Sequence, residues 1–182
     1  MAFISDINGI FNKYYQDNPE LKEIVKGHSE RVAQKALCIA KDKNLDLDPR
    51  DIYSAAMLHD IGVVKCNAPD IFARGDSNYL LHGIEGEKIL LSHGLLTYAG
   101  VCSHHTGAGI TKEEIIKNNL PLPHIDLLPR NLLEELICYA DKFYSKSGDI
   151  HREKSLDQVI KSISKYGNDS LLRFMSLHAK FS

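Results

Sequence analysis

Residues 20 to 43 place Leu21, Val25, His28, Val32, Ala36 and Ile39 at intervals of three or four, the spacing that gathers side chains on one face of an α-helix. His28 stands in the middle of that apolar stripe. The same period returns down the chain between breaks made of proline and glycine. A second helix is expected after Asp48-Pro49, running through Ile52, Ala55 and Ala56 to stop near Gly62. A third is expected over about 80–93 before Gly94, and a fourth over about 95–103, leading into His104-His105 and the Gly107-Ala108-Gly109 break. Thr111 with Glu114 three residues on forms a capping-box pattern for a short fifth helix. The stretch NNLPLPHIDLLP reads as an extended connection, residues 132–146 as the next strong helix, and residues 155–179 as a tail of one or two more. Alternating strand patterns are scarce and no repeat is visible, so the pattern predicts an all-α fold, a single compact helical bundle.

Length and charge narrow the function classes. With 182 residues the chain suits one domain, 1–182, able to bury a core without staples. A formal net charge of -2 gives no bulk attraction to nucleic acid or an anionic membrane. Cys38, Cys66, Cys102 and Cys138 lie far apart and form no CxxC, so they read as reduced thiols in a cytoplasmic protein. The N-terminal stretch has no basic leader region, and no run of residues approaches the roughly 18 apolar positions of a spanning helix. Oligomeric state is left open.

The chemistry concentrates in LHDIG, residues 58 to 62, flanked by Ala55, Ala56 and Met57 on one side and Val63 and Val64 on the other. A lone buried carboxylate costs several kcal/mol or more, so Asp60 needs a partner. A hydrogen bond from a helix end, His59 or an arginine would serve, and so would a cation. Other residues bear on the choice: His28 centres an apolar face, His82 shares a face with Gly86 and Ile89, His104 and His105 end a helix, and Asp141 borders the stripe of Leu133, Ile137, Ala140 and Tyr144. Each alone has a structural explanation; together they call for a shared cation. Imidazoles mixed with carboxylates and no thiolate favour Mn²⁺, Fe²⁺ or Zn²⁺, with Mg²⁺ and Ni²⁺ as further options. The set exceeds what one open site uses, and suits two ions bridged by a carboxylate.

His28 within GHSERV, His59-Asp60 within LHDIG and Asp141 within YADKF resemble the H…HD…D signature of the HD-domain superfamily of metal-dependent phosphohydrolases, and LHDIG resembles its HDIG branch. His82 and His104-His105 are similar to the extra histidines of two-metal members such as HD-GYP phosphodiesterases and dinucleoside-tetraphosphate hydrolases. The resemblance covers about residues 20–146 and leaves a helical tail, about 151–182, outside it. It implies a bundle with a metal site between helices, with His28, His59, Asp60 and Asp141 holding one ion. It also implies that Asp60 bridges to a second ion held by His82, His104 and His105, with Asp60 and His59 as the catalytic pair. The implied activity is hydrolysis of a phosphate ester or anhydride of a small phosphorylated metabolite, a nucleotide by preference, through metal-activated hydroxide. A dinucleoside polyphosphate hydrolase is the alternative, and a non-catalytic sensor binding metal or nucleotide a second. Val63 follows LHDIG where HD-GYP proteins carry Lys, and no GYP tripeptide is present, which speaks against cyclic-di-GMP cleavage. Ile24 stands where some three-metal members place Glu, against a third ion.

Arg31, Lys65, Arg74 and Lys142 are candidate phosphate contacts, Lys65 and Arg74 first because the loop after HDIG should border the site. His93 lies eleven residues beyond His82, about 16 Å along a helix, too far to share its ion. His124, His151 and His178 fall in the proline-rich connection or the tail and are set aside. Gly107 and Gly109 follow no strand and are expected to cap and turn, forming part of the site wall.

Overall fold

A computed structural model describes residues 4–150 and 152–182, with side chains from residue 7 onward. Its helices are α1 (Ile4–Tyr15), α2 (Pro19–Asp42), α3 (Pro49–Leu58), α4 (His82–Ser92), α5 (Leu96–His104), α6 (Lys112–Lys117), α7 (Leu132–Asp141), α8 (Leu156–Ile163) and α9 (Asn168–Phe181). The fold is all-α, as the periodicity predicts. The starts are written in the sequence. Asn18 accepts from the Leu21 amide ahead of Pro19, and Asp48 accepts from the Arg50 amide ahead of Pro49, the side-chain caps that satisfy a helix's first free donors. Thr111 and Glu114 form the expected capping box, and Ser155 with Gln158 forms a second at α8.

The apolar faces meet in one contiguous core. Leu21, Val25, Val32 and Ala36 of α2 pack with Ile52, Ala55 and Ala56 of α3, Leu90 of α4, Leu136 and Ile137 of α7, and Phe174 of α9. A smaller cluster of Ile115, Leu122 and Leu127 lies beneath the proline-rich connection. Backbone bonds between Ile110 and Leu127 pin that connection in both directions. Among the described residues no helix is long and apolar enough to cross a membrane.

Four features depart from the sequence reading. An N-terminal helix, α1, precedes the first helix expected from the sequence and buries Ile7, Ile10, Phe11 and Tyr15. Helix α3 ends at Leu58, before the HD pair; Asp60 turns to φ -106°, ψ 11°, and a 3₁₀ turn covers Ile61–Lys65. A two-stranded antiparallel hairpin, β1 (Asn67–Ala68) and β2 (Ala73–Arg74), follows. Helix α7 stops at Asp141, not Lys146.

Gly62 explains the tight course after the HD pair. A Cβ there would lie 2.0 Å from the His82 carbonyl oxygen and 2.2 Å from the Gly86 amide nitrogen, far inside van der Waals contact. The missing side chain lets the 3₁₀ turn press against the first turn of α4. That approach brings His82 to Asp60.

Candidate metal centre

Asp60 and His59 are fully buried where α3 gives way to the 3₁₀ turn. Helix α2 supplies His28, the start of α4 His82, the end of α5 His105, and the end of α7 Asp141. Ligating atoms of His28, His59, Asp60 and Asp141 lie within 4.8 Å of one another, and so do those of Asp60, His82 and His105. Asp60 is common to both groups and divides its oxygens between them. Its Oδ2 lies 3.3 Å from His28 Nε2 and 3.1 Å from His59 Nε2. Its Oδ1 lies 3.5 Å from His82 Nε2 and 3.4 Å from His105 Nε2.

The imidazoles are oriented by backbone. Nδ1 of His59 donates to the Ala56 carbonyl at 2.6 Å, Nδ1 of His82 to Tyr79 at 2.7 Å, and Nδ1 of His105 to Cys102 at 2.7 Å. With Nδ1 held on a carbonyl, Nε2 of each ring faces inward and offers its lone pair once that ring is neutral, the arrangement of a metal-ligating histidine. Helical carbonyls three residues upstream thus fix all three rings.

Three observations fit this donor set to divalent cations. His59 Nε2 and Asp60 Oδ1 are buried without an aligned hydrogen-bond partner, despite their close neighbours. Buried polar atoms left so are rare. The Nε2 atoms of His82 and His105 face each other at 3.0 Å, which sets two lone pairs in opposition when both rings are neutral. Burial, with the neighbouring His105, pushes the His82 pKa down to about 3, and burial also lowers that of His105, so both rings are neutral near pH 7. Cations between these atoms would satisfy them all.

The first group carries charge. Burial disfavours the ionised forms of Asp60 and Asp141, but His59 and Lys146 around Asp60, and Lys142, His28 and His59 around Asp141, hold both well below the ordinary carboxylate range. Burial likewise works against His59, yet Asp60 and Asp141 raise it to about 9. A metal at His59 must displace that proton. Affinity of the metal-free protein for Mn²⁺ is therefore expected to rise with pH from 6.5 to 8.5, about tenfold per unit for each proton released. Competition titration with a chelator, corrected for the chelator's own protonation, measures it; an affinity flat across that range contradicts the assignment of His59.

His104 stands outside both groups, a correction to the expected ligand set. Its Nδ1 lies 2.8 Å from Glu134 Oε2, and Glu134 also accepts from the Arg130 amide and Asn131 Nδ2. Neighbours in sequence at the end of a helix point about 100° apart, so His105 turns to Asp60 while His104 turns to α7.

Lys146 escaped the sequence reading. Its Nζ lies 2.5 Å from Asp60 Oδ2, and although burial opposes its charge, Asp60 raises its pKa. On a helix continued past Asp141 it would sit roughly 140° around the axis from that residue. Because α7 ends at Asp141, the chain folds back and returns the lysine to the site. Lys142 binds Asp141 Oδ2 at 2.7 Å and the His105 carbonyl at 2.8 Å. A cavity of about 420 Å³ opens over these residues and is lined by Asp141, Lys142, Lys146, Lys154, Tyr79 and Gly107, among others.

The other candidate phosphate contacts are elsewhere, a further correction. Lys65 and Arg74 are exposed and do not line this cavity: Lys65 ends the 3₁₀ turn, and Arg74, on β2, borders a separate cleft with Phe72 and Asp76. Arg31 also lies off the cavity wall, with Nη1 3.5 Å from Gln34 Oε1. His93 meets the Tyr14 hydroxyl at 3.2 Å, and His178 the Tyr139 hydroxyl at 2.9 Å. His124 is exposed, and His151 lies outside the described residues.

The HD domain family model matches residues 25–145. The chain belongs to the HD domain family. The match begins within α2 and ends just past α7, so it contains both His/Asp groups and excludes α8 and α9. This HD domain is similar to a tRNA (cytidine(56)-2'-O)-methyltransferase of Picrophilus torridus, 30% identical over 185 residues, covering 96% of this chain and 49% of that protein. It is similar as well to a protein of the same description from Thermoplasma volcanium, 30% identical over 83% of this chain and 40% of that protein. An uncharacterized protein of Methanocaldococcus jannaschii is 33% identical over 75% of this chain and 71% of its own. The chain thus spans about half the length, or less, of the two methyltransferase-named relatives. No solved structure gives a significant match.

Proposed function

We propose that this HD domain is a divalent-metal-dependent phosphohydrolase acting on a small phosphorylated metabolite, with a nucleotide as the preferred substrate. One observation carries the reading: two buried His/carboxylate groups share Asp60 and adjoin a cavity whose wall bears Lys142, Lys146 and Lys154. His28, His59, Asp60 and Asp141 would hold one ion, and Asp60, His82 and His105 a second. Bound divalent ions supply an activated water and neutralise charge that develops on phosphoryl oxygens. The chain's own residues do the rest. Asp60 fixes the spacing of the two groups, and the backbone-held imidazoles keep their lone pairs aimed inward. The lysines draw a phosphate toward carboxylates that would otherwise repel it. The free thiols of Cys66, Cys102 and Cys138 are buried, and burial raises the pKa of each, so none is prepared as a nucleophile. Reduced cysteines suit a cytoplasmic setting.

The methyltransferase-named relatives favour a second reading, in which the phosphate belongs to an RNA end. A phosphate-release screen with Mn²⁺-loaded protein tests both. It covers nucleoside mono- and triphosphates, dinucleoside polyphosphates, sugar phosphates and oligoribonucleotides with terminal phosphate. Release that stops with a chelator is expected on the nucleotides. Metal binding without release from any member of the panel would leave the sensor reading in its place.

A further inference from the structure

A second cavity, of about 320 Å³, adjoins the lysine-lined one, and the two share Gly107 and Tyr166. The second has a different chemistry. Leu80, Ile110 and Leu120 give it apolar walls, while Asn118 and Thr106 place polar groups at its edge. Asn118 Nδ2 donates to the Glu114 carbonyl, which leaves its amide oxygen able to accept from a ligand. Arg173 binds the Gly109 carbonyl at 3.0 Å and the Glu114 carboxylate at 2.8 Å, so it ties α9 to the cavity floor.

Tyr166 ends the 3₁₀ turn Ser164–Tyr166 that follows α8, and it is 65% exposed. A single exposed aromatic needs no explanation. One that forms the shared wall between a cationic cavity and an apolar one is placed as a platform. Tyr166, Lys165, Ser170 and Arg173 all lie beyond the stretch matched by the family model, so this wall is built by the chain's own tail.

We propose that this second cavity receives the planar heteroaromatic ring of the substrate, stacked on Tyr166, while its phosphate faces Lys142 and Lys146 across Gly107. The inference rests on the phosphohydrolase reading and names the part of the substrate that would set its specificity. An aliphatic chain would fill the apolar walls but offer nothing to the Asn118 amide oxygen or the Thr106 hydroxyl, a costly outcome for groups it desolvates. A purine or pyrimidine presents both a π-face and ring-edge donors and acceptors. Base-on-aromatic stacking is worth about tenfold or more in affinity per base by alanine substitution.

Calorimetry on the metal-loaded protein tests this with adenosine 5'-monophosphate, cytidine 5'-monophosphate and ribose 5-phosphate, which share a phosphorylated ribose and differ in the ring. At least one nucleotide is expected to bind wild-type protein about tenfold or more tighter than ribose 5-phosphate. Tyr166→Ala should erase that difference and Tyr166→Phe should keep it. Equal affinities for all three in the wild type, or a ring-dependent gain that survives Tyr166→Ala, would overturn the proposal. The two readings fail separately. A Tyr166-dependent ring preference without phosphate release from any ester removes the hydrolase and leaves the ring site, whereas release from nucleotide and sugar phosphate with equal kcat/KM removes the ring site and leaves the hydrolase.

Discussion

Asp60→Asn is expected to lower turnover by at least about a thousandfold while the protein stays helical. The amide keeps the shape of the side chain but cannot carry the charge that both histidine groups share. Loss of several kcal/mol of charge stabilisation, at about 1.4 kcal/mol per tenfold in rate, gives that magnitude. The substitution also strips Lys146 of its counter-ion at a site where its side chain is only 14% exposed. Breaking a buried pair from one side costs about 3 kcal/mol or more, so the metal-free variant should unfold at lower urea than wild type. Circular dichroism checks the fold and phosphate release checks the chemistry. Near-normal turnover from a well-folded Asp60→Asn protein would sink the central claim.

The second large effect separates two adjacent histidines. His105→Ala is expected to reduce bound metal from about two ions per chain to about one and to cut turnover by orders of magnitude, since a two-metal clamp acts on both the attacking and the leaving oxygen. His104→Ala should leave the metal count unchanged, because that ring is bound to Glu134 and lies outside both groups. Its cost is in stability, about 1–3 kcal/mol for stranding the Glu134 carboxylate's partner sites. Metal analysis of the two purified variants, after loosely held ion is removed, decides the matter. A His105→Ala protein that keeps the full wild-type count refutes His105 as a ligand even if its activity is gone.

The helices were legible because their caps and periods are local: Asn18 with Pro19, Asp48 with Pro49, and Thr111 with Glu114 each announce a start from neighbouring residues. That His28, His59, Asp60 and Asp141 turn inward was legible too, because apolar surroundings leave each polar side chain no other course; their grouping came from the resemblance to the H…HD…D signature. What was hidden depends on where a helix stops. Whether α7 ended at Asp141 or ran on to Lys146 decides whether that lysine meets Asp60, and no Gly or Pro marks the end. The choice between His104 and His105 turned on a rotation about the helix axis, set by Glu134 on a distant segment. Lys65 and Arg74 looked close to the site because they follow HDIG in sequence, but the 3₁₀ turn leaves Lys65, and the hairpin leaves Arg74, exposed and off the cavity wall.

The ammonium group of Lys146 on Asp60 bears on how the protein is assembled. In a zinc finger the free energy of metal binding is the free energy of folding, and the bare chain is unfolded. Here a lysine built into the chain already neutralises the most deeply buried carboxylate, so the nascent protein does not have to wait for an ion to close its core. The metal-free protein is therefore expected to be folded, and circular dichroism after treatment with a chelator checks it.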